Sequence, residues 1–159
     1  MRSIFVCSAF LALAASAGEP KSDSKDSCHI TAGPNDLVKK KGNVVIEAGR
    51  TIENVIALHG QVTLKKGAKV KSIITVNGDA IIEDGAEVEE SVVTIGGQVR
   101  VEPGGIVHGS KLALSDRALS VTGDNGKSVK GNLEIDGQSV SQLLLATVTQ
   151  KLEGCAVEK

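Results

Sequence analysis

Between Asn43 and Gly137 the chain repeats itself, and this repetition restricts the possible folds more than any other feature. Four copies, 43–60, 61–78, 79–97 and 98–116, follow each other without gaps, so the period is 18 or 19 residues. A fifth, looser copy covers roughly 118–137, and its end, VKGNLEIDG, matches VKSIITVNG at 70–78 position by position. A fixed period of this kind is typical of proteins that stack similar units in a row.

Each copy divides into three parts of about six residues, and each part carries a pair of mostly apolar residues two positions apart. That spacing places both side chains on one face of a β-strand. Three short strands per copy predict a triangular β-helix of about five coils, each of 18–20 residues, with one buried aliphatic column. The predicted inward ladder includes Val44, Ile46, Val62, Leu64, Ile82, Val99 and Val101. In the third part of each copy the predicted inward pairs are Ile56/Leu58, Ile74/Val76, Val93/Ile95 and Leu112/Leu114.

Glycines recur at fixed places in the repeat, as expected for the corners of the coils. One such row is Gly49, Gly67, Gly85 and Gly104. Glycine accepts a positive φ or a close backbone approach without steric cost, which suits a tight corner. A sandwich or barrel of many short strands also alternates, but it does not require such regular spacing. The spacing leaves the handedness of the β-helix open, because left-handed coils also use steps of six.

The first 17 residues have the three parts of a secretory signal peptide. Arg2 supplies the positive charge, Ile4 to Ala15 form a short apolar stretch, and Ala15-Ser16-Ala17 is a cleavage site. About 12 apolar residues are too few to span a bilayer, so we predict no membrane span. We therefore expect an exported protein of the periplasm, cell envelope or extracellular space, with a disordered tether and lead-in at 18–35 and the β-helix domain at 36–137.

After Gly137 the pattern changes to a helical one, and residues 138–159 are predicted to form a capping helix and tail. Apolar residues recur on one face of a helix from about Val140 to Glu153. This helix is long enough either to cap the last coil or to lie along the stack. We predict that the helix packs on a flat row of small, outward-pointing residues, which would form a bed for it: Ala57, Thr75, Thr94 and Ala113.

Two cysteines remain after signal cleavage, Cys28 before the coils and Cys155 after the helix. An even number of cysteines in an oxidising compartment suggests a disulfide. Our hypothesis is an intramolecular Cys28–Cys155 bond that ties the two ends of the protein together. An intermolecular bond is the alternative.

The composition argues against several kinds of partner and chemistry. The 18 basic residues balance the 19 acidic ones, and both phenylalanines lie in the leader, so a nucleic-acid partner is not expected. The three histidines, His29, His59 and His108, raise the possibility of an acyltransferase general base or a zinc site. His59 and His108 fall at different corners, however, so we interpret them as surface residues. We predict no catalytic, metal or cofactor site.

Charged residues of neighbouring copies are complementary at equivalent positions. The period places Lys65 beside Glu83, Lys69 beside Glu87 and Lys71 beside Glu89. Opposite charges on adjacent strands help to fix register. We interpret these pairs as structural.

The repeated pattern G-x-V-x-[VIL]-x-x-G-A-x-V, as in GQVTLKKGAKV (60–70) and GDAIIEDGAEV (78–88), resembles that of the bactofilins, polymer-forming bacterial cytoskeletal proteins. The resemblance covers residues 42–137. It implies a right-handed triangular β-helix without a cofactor that associates end to end into filaments without nucleotide. The signal peptide and the C-terminal helix are departures from that family.

Three functions follow as hypotheses. The first is a non-catalytic, exported scaffold protein of the cell envelope, either monomeric or self-associating through the coil ends. The second is a binding module that presents a flat β-face to a partner protein or envelope polymer. The third is an acyltransferase-like enzyme with His59 as its base.

Overall fold

The computed structural model describes residues 29–115, 118–132, 134–135 and 138–158. Between 132 and 145 it describes the backbone of these residues but not their side chains. The described chain consists mainly of short strands, followed by one helix near the C-terminus. In chain order these elements are β1 (His29–Thr31), β2 (Leu37–Lys39), β3 (Val44–Ile46), β4 (Thr51–Ala57), β5 (Val62–Leu64), β6 (Lys69–Val76), β7 (Ala80–Ile82), β8 (Glu87–Ile95), β9 (Val99–Val101), β10 (Ile106–Val107), β11 (Lys111–Leu114), β12 (Ala118–Thr122), β13 (Ser128–Asn132), β14 (Glu134–Ile135), β15 (Gln138–Ser139), α1 (Val140–Glu153) and β16 (Ala156–Glu158).

The predicted β-solenoid is confirmed, with about four turns and a single C-terminal helix. Short strands β3, β5, β7 and β9 stack in parallel into one sheet. Strands β2, β4, β6, β8 and β11 stack in parallel into a second, and β10 also pairs with β8. Each turn therefore pairs its backbone with the turns before and after it.

The core is a column of aliphatic side chains inside the coils. Val62, Leu64 and Ile82 are fully buried, and Val44 and Ile46 nearly so. Val99 and Val101 pack against this cluster but remain half-buried, because their coil is the last one on that side. The ladder inferred from the repeat therefore lies inward, and its burial decreases at the C-terminal end.

Glycine is required at the corners for two different reasons. Gly67 has φ of +74° and lies in a row with Gly49, Gly85 and Gly104, all at positive φ. Gly78 is needed for space instead, since a Cβ there would lie 2.0 Å from the carbonyl oxygen of Gly60 in the preceding coil. Both positions keep successive coils at strand spacing.

The predicted facing of the third side is wrong by one residue. The inward residues are Val55 and Ala57, Ile73 and Thr75, and Val92 and Thr94, all fully buried. From Val62 to Ala68 to Ile73 to Ala80 the inward positions are six, five and seven residues apart, not six each. The inward threonine hydroxyls are satisfied, since Thr75 Oγ1 donates to Gly78 O at 2.7 Å and Thr94 Oγ1 donates to Gly97 O at 3.1 Å. The row predicted as an outer bed, which contains Ala57, Thr75, Thr94 and Ala113, therefore lines the interior.

The predicted fifth coil does not form. Strand β12 runs antiparallel to β11, and β13 runs antiparallel to β12, so this part is a meander that extends one side of the solenoid. The reason lies in the inward positions: Ser120 is paired with Ala113, and Thr122 with Lys111. The lysine is the decisive change, because an unpaired ammonium group cannot be buried in a dry aliphatic column, whereas threonine can be. The segment TGDNGKS (122–128) forms the exposed turn between β12 and β13.

Helix α1 spans the range that the periodicity predicts, and its end lies near the first coil. Lys40 Nζ donates to the carbonyl oxygens of Glu153, at 3.2 Å, and Cys155. Because α1 follows the last strands and ends beside this early residue, it runs back along the stack. No helix in the described part of the chain is long and apolar enough to cross a membrane.

The described part of the lead-in contains two short strands. His29–Thr31 forms β1 and pairs in parallel with β16, and Ala32 N donates to Glu158 O at 2.7 Å. Leu37–Lys39 forms β2 on the edge of β4 and covers the open side of the first coil. The predicted signal peptide (1–17), residues 18–28 and Cys28 lie outside the described residues.

Candidate interaction surfaces

The histidines are separate surface residues, each beside a glutamate. His29 Nδ1 lies 3.0 Å from Glu158, and His59 Nε2 lies 2.7 Å from Glu153. His108 Nε2 lies 2.8 Å from Glu87 Oε1. None of the three lines either of the two cavities at the C-terminal end of the solenoid. The geometry thus brings no two histidines together around a common reacting position.

Lysines of the second coil form ion pairs with glutamates of the third coil. The Nζ atom of Lys65 lies 2.6 Å from Glu83, and that of Lys69 lies 2.7 Å from Glu87. The hydrogen bond to Glu83 raises the pKa of Lys65, and the bond to Glu87 raises the pKa of Lys69. These pairs match the sequence-based pairing and hold the two coils in register.

The third predicted pair is wrong, because Lys71 lies 3.5 Å from Glu90 rather than beside Glu89. The register of β6 and β8 shifts at this point: Val70 pairs with Val88, but Ser72 pairs with Ser91. The third coil has 19 residues, and its extra residue forms a bulge at the corner.

Glu87 is the centre of a small network, since Lys69 and His108 both contact its carboxylate. The hydrogen bond from Lys69, followed by that from His108, lowers the pKa of Glu87. A similar but separate effect occurs at the first coil, where the backbone N–H of Gly33 and the amide of Asn54 lower the pKa of Asp36. Both networks join neighbouring turns, which suits a structural role.

The C-terminal segment is fastened to the first coil by several contacts. Besides Lys40, these include the pair of His59 with Glu153 and the pair of His29 with Glu158. Cys155 is fully buried at this junction, and its Sγ lies 3.1 Å from Lys151 O. We name residues 153–158 with these partners the terminal junction.

The outer side of the long strands is also aliphatic. Leu58 and Val76 are 1 % and 0 % exposed although they are outside the inner cluster. They adjoin His59 and Asn77, which lie 3.4 Å apart, and His59 contacts the end of α1. Val148 and Leu152 of α1 are half-buried, and the contact of His59 with Glu153 places the end of the helix close to this outer row.

At the C-terminal end of the solenoid, no strand among the described residues stacks on β9 as a fifth coil would. A cavity of about 330 Å³ lies between β9 and the meander and is lined by Val99, Ala113, Ser120 and Lys130 among others. A second cavity of about 240 Å³ continues along β9 past Val101 and reaches Lys111 and Thr122. Three lining residues are shared, so the two form one groove, which we call the end groove.

Two lysines face into the end groove. Lys111 is in register with Val92 of the neighbouring strand. Lys130 is in register with Ser120. Through Ser120 and Ala113, the same cross-strand row leads to Thr94. Residues directly opposite each other on paired strands share one face of the sheet, and Val92 and Thr94 are inward. Among the described residues, neither lysine forms an ion pair, whereas four lysines of the second coil do.

The short-strand sheet leaves backbone groups unpaired at both ends. At β9, Ala80 N donates to Gln98 O at 2.9 Å and Glu102 N donates to Ile82 O at 2.8 Å. By the alternation of a parallel ladder, Val99 and Val101 direct their N–H and C=O groups to the other edge, where no described strand pairs. At β3, Val44 N donates to the coil above it and Lys65 N donates back to β3. By the same alternation, Val45 directs its N–H and C=O groups to the other edge, where no described strand pairs.

The described residues contain no group of three or more His, Cys, Asp or Glu side chains arranged to hold a metal ion. Comparisons with protein-family models, with curated proteins and with solved structures find no match to this chain. The surfaces therefore have to be interpreted from their own geometry.

The end groove was not predicted from the sequence, although a signal for it exists. At the inward positions of the third side, aliphatic residues and threonine in the first three coils give way to Lys111, Ser120 and Thr122. The local match of 129–137 to the second copy concealed this change of polarity.

Proposed function

We propose that this protein is an exported, non-catalytic structural protein of the cell envelope that self-associates through the ends of its β-helix. The observation that carries the proposal is the pair of free edges of the short-strand sheet, at β3 and β9. Free strand edges pair with other strands unless they are protected. Here the neighbouring corner residues are polar, but the edges themselves are Val44–Ile46 and Val99–Val101.

The absence of aromatic residues after the leader and the interior filled by aliphatic side chains support a structural role. The resemblance of the repeats to the bactofilins, if it extends to function, implies assembly without nucleotide or cofactor. Export is supported by the leader sequence MRSIFVCSAFLALAASA. The proposal thus combines a secreted chain with an assembly surface made mainly of backbone groups.

A Cys28–Cys155 disulfide belongs to the same proposal. Cys28 is joined to His29, which is in register with Ala156, the neighbour of the buried Cys155. The bond would close the terminal junction covalently in an oxidising compartment. A non-reducing gel of the mature protein tests it: a fast-migrating monomer supports the intramolecular bond, and a disulfide-linked dimer contradicts it.

Electron microscopy and sedimentation of the purified mature protein test self-association. We expect filaments or short oligomers for the natural sequence. Val45→Pro and Val101→Pro each remove one free-edge N–H donor without removing a bond of the existing ladder, so each should shorten the assemblies. Ile74→Ser, which changes an exposed side chain of a middle coil, is the matched control. Single particles at all concentrations would contradict the proposal.

A second candidate function is a binding module that presents a flat β-face. The outward row Val45, Thr63, Ile81 and Arg100 crosses the short-strand sheet in register and is at least partly exposed. Isolated particles that bind a defined envelope partner, with loss of binding in Ile81→Asp, would favour this function over self-association.

A further inference from the structure

We infer that the end groove binds an extended acidic peptide segment of a partner protein, which adds to β9 as a parallel strand. This inference rests on the same free edge of β9 as the function proposed above, so the acidic segment competes for that edge with a second copy of the chain. Three independent features of the groove lead to it: an unpaired backbone edge, a partly covered aliphatic floor and two inward lysines.

The backbone edge determines that the ligand is extended. Val99 and Val101 direct their N–H and C=O groups away from β7, and no described strand receives them. Every strand of this sheet is parallel to its neighbours, so a further strand that follows the twist would also be parallel. Main-chain hydrogen bonds at a sheet edge are a common means of peptide recognition.

The floor determines which side chains the segment carries. In the inner coils the positions above Val62 and Leu64 are filled by Ala80 and Ile82. The corresponding positions above Val99 and Val101 are empty of described strands, and both valines are only half-buried. A segment with small aliphatic residues at alternate positions would cover them as the next coil would, and the volume of about 330 Å³ is sufficient for such side chains.

The lysines determine its charge. Lys111 and Lys130 line the wall opposite β9, with the hydroxyls of Ser120 and Thr122 between them. Unpaired ammonium groups that face a partly enclosed groove are not needed for the fold and favour a carboxylate ligand. Because successive side chains of a strand lie on opposite faces, only the inward positions of the segment meet the lysines, so an inward carboxylate would follow an inward aliphatic residue two positions along.

The binding experiment uses the purified mature protein and a short fluorescein-labelled peptide in which every second residue is threonine and the residues between are valine and glutamate in turn, so that both types can point inward. Fluorescence anisotropy should show saturable binding. The double substitution Lys111→Gln, Lys130→Gln should weaken it by about tenfold or more, since two charge-assisted hydrogen bonds are lost. Lys127→Gln is the matched control: this lysine lies in the exposed β12–β13 turn, does not line the groove, and its loss should change the affinity less than about twofold.

A second probe tests the backbone pairing without changing the protein. The same peptide with N-methyl groups at alternate amides cannot donate to the edge of β9, and its binding should be lost. Equal binding of the methylated peptide would overturn the inference. Equal weakening by Lys127→Gln, or equally good displacement by an anionic polysaccharide, would also overturn it, because binding would then depend on charge alone.

The inference and the proposed function fail separately. A protein that stays monomeric but binds the peptide contradicts self-association and supports the groove. Failure of the peptide to bind at concentrations at which the protein is monomeric contradicts only the groove, whether or not filaments form at higher concentrations. Thermal unfolding of the lysine variants shows whether a loss of binding reflects a loss of folding.

Discussion

The first three coils and the C-terminal end are built from the same repeat, yet they have opposite properties. In the inner coils the inward residues are fully buried and the charged side chains of neighbouring turns are paired. At the end, Val99 and Val101 are half-buried, Lys111 and Lys130 are unpaired among the described residues, and the chain reverses into a meander. A few polar residues at inward positions are enough to stop a solenoid.

The largest difference between the two regions is expected for truncations of inward side chains. Leu64→Ala should lower the free energy of unfolding by about 3 kcal/mol, because it leaves a cavity between two coils. Val101→Ala should cost about 1 kcal/mol, since this side chain is already partly exposed. Urea unfolding measures both values. Equal losses would show that the end is covered in solution.

The corner glycines provide a second, smaller contrast. Gly78→Ala should cost about 2 kcal/mol, because the new Cβ would overlap the Gly60 carbonyl and push two coils apart. Gly131→Ala, in β13, should be nearly neutral, since a Cβ there has nothing within 4 Å. Unfolding in urea again provides the comparison, and a large cost at Gly131 would show that the meander is packed more tightly than described.

The smallest effect concerns pH and distinguishes paired from unpaired charges. The pKa of Glu87 is lowered in the folded protein, so its contribution to stability is present above its unfolded pKa, about 4.3, and is lost as the pH falls through the lower folded value. Lys69→Gln should therefore flatten the acid side of the Tm-against-pH curve. Lys130→Gln should leave the curve unchanged, and a similar flattening there would reveal an acidic partner for Lys130.

The sequence predicted the parts of the fold in which one face of a strand is apolar and the other is not. On the first side, Val62 and Leu64 alternate with Gln61, Thr63 and Lys65, so the inward direction is unambiguous. On the third side, runs such as SIITV are apolar at adjacent positions, and Val76 on the outer side is as fully buried as Ile73 on the inner side. Strands buried on both faces have no alternation from which their facing can be deduced.

The candidate sites were less predictable than the fold. Pairs such as Lys65 with Glu83 follow from the period alone. The end groove depends on where the period stops. Nothing in the sequence distinguishes Lys111 from a surface lysine, and only its register with Val92 shows that it lies on the inward face. The Cys28–Cys155 hypothesis brings the two ends of the chain together, but their pairing as strands β1 and β16 has no signal in the sequence, because the segments share no motif.

The pairing of β1 with β16 also determines the direction in which the molecule is displayed. His29 and Glu158 are in contact beside the first coil. An anchoring segment that preceded His29 and one that followed Glu158 would therefore extend from the same end of the solenoid. A protein anchored at that end would present the opposite end of the solenoid, which contains the end groove, on the side away from the anchor.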